Sequence, residues 1–320
     1  MIDGDGISLN RDDLHPVLTV VILTYNHERY IEQAVRSVLA QRTTFPIEIL
    51  VGEDYSTDGT RAILAQMNWE FPQRLTIVRR DRNLGLAANL QDCRVRARGR
   101  YLAILEGDDF WTDALKLQKQ CDAMESHLDW SMCFHPCRIF DEDGWLPSRI
   151  SPDKSFAKPL TIGDLLERNH VPTMSVAFFR QGIIRQTPSW HAELRNGDWA
   201  LYILHADVGP VGFLPDVMTD YRVHQGGLWS GFGRYHRWQQ TVELFEHLNR
   251  HFQGRYAAEI AESKQAHLDA MIQRDADLEK IERRYLALRL DRIAAVCRWV
   301  RDMWRRWIPP STLTISSCRK

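Results

Sequence analysis

The sequence predicts an α/β protein with an open, doubly wound sheet that turns mixed in its second half and carries a helical C-terminal extension. Two observations point there. Short β-branched apolar runs alternate with stretches of helical apolar spacing, and polar or acidic clusters follow the first, second and fourth of those runs.

Residues 18–24 (LTVVILT) are too short and too valine-rich for a helix and stop at the polar cluster Tyr25-Asn26-His27-Glu28, so they predict a buried strand. Residues 28–41 place Ile31, Val35, Val38 and Leu39 at helical spacing, and residues 47–51 return to a strand pattern. The opening unit is therefore βαβ with a parallel sheet. The pattern repeats as a helix over 60–69, a strand over 75–78, a helix over 86–97 and a buried strand over 101–105. Beyond it, residues 116–127 predict a helix, 131–140 a strand and 141–144 a hairpin tip. Short strands follow at 175–179 and 211–214, with a helix over 198–205 between them. From Tyr235 almost to Pro309-Pro310 the pattern is helical, with Leu278, Ile281, Tyr285 and Leu288 as an apolar stripe. This divides the chain into an α/β domain, 1–232, and a helical extension, 233–320.

At 320 residues, 44% hydrophobic and 26% charged, the chain can bury a core, which excludes global disorder. Its 41 Lys and Arg balance 42 Asp and Glu, so no overall basic field exists to recruit nucleic acid. Six scattered cysteines lack the spacing of a disulfide framework, and residues 1–16 lack the basic-then-apolar run of a signal peptide. The expectation is a cytoplasmic protein, at most held on the inner face of a membrane.

In an open parallel sheet, ligands bind beyond the carboxyl ends of the strands. The clusters Thr24-Tyr25-Asn26, residues 53–59 (EDYSTDG) and residues 106–109 (EGDD) should therefore meet in one crevice. Acidic strand ends repel a nucleotide diphosphate unless a divalent cation lies between, and oxygen ligands point to Mg2+ or Mn2+. No P-loop and no Gly-x-Gly-x-x-Gly follows any of these strands, which sets P-loop kinases and dinucleotide dehydrogenases aside.

The chain resembles the inverting family 2 glycosyltransferases with the GT-A fold. The resemblance runs over residues 18–229 and rests on 20–26 (VVILTYN), 53–60 (EDYSTDGT), 82–85 (RNLG), 105–111 (LEGDDFW), Gly197-Asp198-Trp199 and 221–224 (YRVH). It implies a nucleotide-diphospho-sugar donor, with Thr24, Tyr25, Asn26 and Asp54 around base and ribose and Arg82 near the base. It places Glu106, Asp108 and Asp109 at the family's DxD metal site. The first acid here is Glu rather than the more usual Asp, so the division between metal and ribose contacts stays open. Asp198 matches the family's catalytic base, although an N-cap would also explain an acid at that point. His224 is expected at the diphosphate or in the metal shell, with a surface-loop histidine as the alternative. The acceptor would be a polysaccharide or lipid-linked glycan.

Other patterns carry less. Cys133, His135 and Cys137 could suggest zinc, but their alternation fits one strand and no second ligand pair lies nearby. Trp111, Trp199 and Trp229 could stack on sugars, although such residues usually belong to a core. Near the C-terminus, Val296, Val300, Met303 and Trp307 share one helical face opposite Arg298, Arg301 and Arg305, which suits a membrane surface or a homodimer contact. The competing functions are a nucleotidyltransferase, which lacks its Gly-rich basic loop here, and a non-catalytic sugar-nucleotide-binding protein.

Overall fold

A computed structural model describes residues 15–144, 147–153, 155–184, 186–224, 226–227 and 234–273. The opening half follows the predicted alternation. Strand β1 (Leu18–Thr24) leads to helix α1 (Ile31–Leu39), β2 (Ile47–Glu53), α2 (Thr60–Glu70), β3 (Thr76–Arg79), α3 (Leu86–Arg96) and β4 (Tyr101–Glu106). In β1, Leu18, Val20 and Ile22 face one side of the sheet and Val21 and Leu23 the other, all buried, as expected of a strand covered on both faces. The first set packs against Ile31, Val35 and Val38 of α1 and Leu64 and Met67 of α2. The second meets Leu90 and Cys93 of α3 and the later helices. Each large apolar side chain so buried contributes about 1.5–3 kcal/mol.

The later elements are β5 (Phe110–Trp111), α4 (Lys116–Ser126), β6 (Met132–Phe134), β7 (Cys137–Asp141), β8 (Arg149–Ser151), α5 (Ile162–Glu167), β9 (Phe178–Arg180), α6 (Gly197–Ala206), β10 (Val211–Phe213), β11 (Thr219–Val223) and α7 (Arg234–His251). They complete a seven-stranded sheet in the order β10-β6-β9-β4-β1-β2-β3, in which β9 alone runs antiparallel to its neighbours. A second sheet has the order β5-β11-β7-β8. Strand order reverses between β1 and β4, and such a switch point opens a crevice at the strands' carboxyl ends.

The single strand expected over 131–140 is two strands in two sheets. Pro136 has no N–H to give a ladder and restricts His135 before it, so the chain breaks there and passes from one sheet to the other. Cys133 and Cys137 thereby part company, and among the described residues no cluster of three or more His, Cys, Asp or Glu is arranged to hold a metal. Strand 175–179 shortens to β9 because Met174–Val176 form a 3-10 turn. Leu244, Phe245 and Leu248 of α7, with Phe252 and Ile260, belong to the buried core beside α6. The first compact unit thus continues to Lys264, later than the boundary at 232 suggested by the pattern, because α7 buries its apolar side there. The second unit begins at Gln265; the stripe at 278–288, Trp229 and the basic stretch at 296–307 lie outside the described residues. Among the described residues no helix is long and apolar enough to cross a membrane.

Gly212 of β10 lies directly against the Trp130 ring, where an added Cβ would come within 1.9 Å of Cε3. Gly212→Ala is expected to destabilise the protein by at least ~1–3 kcal/mol, read as a lower melting temperature. An unchanged melting temperature would mean that Trp130 moves aside freely.

Candidate functional site

The loops after β1 and β2 are laced together. Asn26, in the left-handed region at φ 55°, donates its N–H to Ser56 Oγ (3.0 Å), and its Oδ1 accepts from Thr57 N (2.8 Å). His27 N donates to Thr60 Oγ1 (2.9 Å), Glu28 N to Asp58 Oδ2 (3.0 Å), and Gly59 N to Glu28 Oε2 (2.7 Å). The Asn26 side chain, expected at the nucleotide, is committed to this lacing instead. Tyr25 (43% exposed) and Tyr55 (41% exposed, φ 65°) stand out from the two loops, and Thr24 Oγ1 is buried without a hydrogen-bond partner.

Asp54 is also occupied. Its carboxylate accepts from the backbone N–H groups of Leu84 (2.8 Å) and Gly85 (2.9 Å), and its carbonyl from Asn83 Nδ2 (3.0 Å). It pins the 83–85 loop, at whose base Arg82 is exposed. Arg61 supplies a cation nearer the strand end, bound to buried Glu53 (2.7 Å) and lying 4.7 Å over the Tyr55 ring.

Beyond β4 the three acids diverge in role. Glu106 accepts from Thr173 Oγ1 (2.6 Å), and burial, reinforced by the charge of Asp108, pushes its carboxyl up to about 8. Asp109 is buried, with Oδ2 accepting from Ser175 Oγ (2.6 Å) and Oδ1 from Arg222 N (3.0 Å). Burial and the charges of Asp108 and Glu106 hold Asp109 well above the usual carboxylate range. Burial would raise Asp108 too, but a hydrogen bond from His224 and the nearness of His27 outweigh it and keep Asp108 low, hence ionised. His224 Nε2 lies 3.1 Å and His27 Nε2 3.8 Å from Asp108 Oδ2. Arg222 ties the turn down: its Nε donates to the Asp108 carbonyl (3.0 Å) and its guanidinium lies 4.7 Å over the Tyr30 ring.

Asp198 sits in the first turn of α6, where backbone N–H groups of that turn face it. Burial nevertheless pushes its carboxyl up to about 6. Its charge acts on Glu106, Tyr202 and Tyr221, so the acid of α6 reaches the acids of β4. Thr24, Tyr25, Glu106, Asp108, Asp109, His224 and Asp198 thus gather around the switch point, whereas Arg82 stands on the outer loop. Trp111 and Trp199 are core residues, their indole N–H groups donating to the carbonyls of Ser175 and Leu165.

Sequence reasoning missed His27, Thr173, Ser175 and the positioning role of Arg222. His27 lay in plain view in the polar cluster after β1, but Thr173 and Ser175 reach Glu106 and Asp109 from more than sixty residues away, and no local signal marks them.

A twisted, mostly parallel sheet with an acidic turn at its switch point and a smaller second sheet carrying β11 beside that turn defines the GT-A fold. The family model for glycosyl transferase family 2 matches residues 19–187, just over half of the chain, and the protein belongs to that family. An uncharacterized protein of Mycobacterium tuberculosis (strain H37Rv) is 40% identical over 212 residues, 66% of this chain and 60% of that protein. The chain therefore matches only about three-fifths of that relative's length. A Bacillus subtilis protein named "Putative teichuronic acid biosynthesis glycosyltransferase TuaG" is 39% identical over 168 residues, 52% of this chain and 63% of that one. Among solved structures, a mannosyltransferase from Pyrobaculum calidifontis in complex with GDP-Man and Mn2+ aligns with TM-score 0.55 at 18% identity, covering 82% of this chain and 76% of that one. At that identity the likeness shows the fold.

Proposed function

We propose that the protein transfers a sugar from a nucleotide-diphosphate donor to a hydroxyl of a glycan or lipid-linked acceptor, with inversion at the anomeric carbon. The observation that carries this reading is an ionised Asp108, flanked by His224 at 3.1 Å, on a turn whose Glu106 feels the charges of both Asp108 and Asp198 of α6. The related mannosyltransferase with its bound GDP-Man and the B. subtilis relative named for teichuronic acid biosynthesis support a sugar nucleotide and an envelope glycan as the two substrates.

Asp108 and His224 fit a divalent cation. If a divalent cation binds here, Asp108 Oδ2 and His224 Nε2, which lie 3.1 Å apart, would hold it. The mixed oxygen and nitrogen donors favour Mn2+ over Mg2+, whose ligands are oxygens. Asp109, expected as a further ligand, has both oxygens engaged by Ser175 and Arg222 and holds the turn instead. When bound, the cation supplies the charge neutralisation that a departing diphosphate needs.

The chain's own residues do the rest. Tyr25 and Tyr55, both exposed, offer aromatic surface to the base, with Thr24 buried beneath them at the end of β1. Asp198 takes the proton of the acceptor hydroxyl as that oxygen attacks the anomeric carbon and the bond to the diphosphate oxygen breaks. Single displacement inverts the centre.

A panel of nucleotide sugars with Mn2+ tests the reading by thermal unfolding. The true donor at 100 times its dissociation constant should stabilise the protein by about 2.7 kcal/mol. No shift with any nucleotide sugar would reject the proposal.

A further inference from the structure

We propose that the cleft walled by β8 and the segments 168–172 and 213–217 is the acceptor site, and that it takes an acceptor carrying carboxylate or phosphate groups, held by Arg149 and Arg168. This rests on the transferase reading above and adds the substrate class.

The cleft encloses about 690 Å3, the size of a site for a short oligosaccharide rather than for one ion or water cluster. Pro136, Phe213 and Val217 give it apolar walls, while Arg149 and Arg168 bring guanidinium groups to it. Asp153 is the one carboxylate among the lining residues.

Many arginines of this protein are held in ion pairs. Arg36 is bound to Glu70, Arg61 to Glu53, Arg138 to Asp220 and Arg255 to Asp207. Among the described residues, neither Arg149 nor Arg168 has a carboxylate partner. Two exposed guanidiniums left unpaired beside a cleft are an unused pair of planar forks, and that geometry matches carboxylate and phosphate oxygens.

Position and charge connect the cleft to the chemistry. Segment 168–172 runs directly into Thr173, which holds Glu106, and segment 213–217 runs into β11, whose Arg222 holds the Asp108–Asp109 turn. The site itself holds the charge of Asp108 and, above about pH 6, that of Asp198, which repel an anionic acceptor. Arg149 and Arg168 in the cleft supply charge of the opposite sign.

The test titrates the full chain with a hyaluronan tetrasaccharide, a glycerol-phosphate tetramer and neutral cellotetraose, by calorimetry, at two salt concentrations. At least one anionic probe should bind about tenfold or more tighter than cellotetraose and weaken with salt, and the one that binds names the group. Arg149→Gln with Arg168→Gln should reduce that affinity by about tenfold for each arginine. The same double variant should keep its melting temperature and its stabilisation by nucleotide sugar. The idea is overturned if neither anionic probe binds, if cellotetraose binds as tightly, or if the double variant binds as the native protein does. Anion binding in a protein that no nucleotide sugar stabilises would reject the transferase reading and leave the cleft's chemistry standing.

Discussion

Asp198→Asn is expected to lower the transfer rate by about 10^2–10^4-fold while leaving nucleotide-sugar affinity unchanged, because the amide keeps the shape of the carboxylate but cannot accept the acceptor's proton. The native protein adds a pH signature. Asp198 works as a base only when ionised, and burial pushes its carboxyl up to about 6, so kcat/KM should fall about tenfold per pH unit below that value. Stability runs the other way. The folded state holds this proton more tightly than the unfolded chain, whose Asp titrates near 3.8, so ionisation costs stability as pH rises from about 4 through about 6. Above pH 6 the full penalty is present, on the order of 3 kcal/mol at 1.36 kcal/mol per unit. The Asn variant should therefore melt higher than the native protein at pH 7 and match it near pH 4. Near-native turnover in the variant would remove Asp198 from the mechanism, and a lower melting temperature at pH 7 would contradict the burial argument.

Asp108→Asn is expected to abolish Mn2+ binding and to lower turnover by about 10^3-fold, the equivalent of about 4 kcal/mol of lost charge stabilisation at the leaving diphosphate. Its carboxylate is the acid of the β4 turn that stays ionised with an imidazole 3.1 Å away. Asp109→Ala should behave differently. It strips the acceptors from Ser175 Oγ and Arg222 N, so the main effect is a stability loss of about 1–3 kcal/mol per unpaired buried group. Mn2+ titration followed by electron paramagnetic resonance, beside melting curves, separates the two. Full turnover in excess chelator would sink the cation's role, and equal loss of Mn2+ affinity in both variants would return Asp109 to the ligand set.

Much of the fold was legible because its signals are local. The alternation of buried side chains in β1 and the spacing of Ile31, Val35 and Val38 each lie within one element, and the acidic clusters sit at strand ends where parallel topology must gather them. The break at Pro136 was legible in principle, since proline forbids the ladder bond, but the alternating Cys133, His135 and Cys137 masked it.

Within the site, residue types and order along the chain determined that an acidic turn, a histidine after β11 and an acid at the start of a helix would be present. Which of those groups is free to act was decided by tertiary structure. Asn26 and Asp54 were expected on the nucleotide, but their oxygens bond backbone amides of neighbouring loops. Asp108 and Asp109 are the same residue type one position apart, yet one faces two imidazoles and the other is enclosed by Ser175 and Arg222. A carboxylate's chemistry depends on its desolvation and on the donors that surround it, and those donors arrive from residues 66 and 113 positions away, a separation at which sequence pattern carries no contact information.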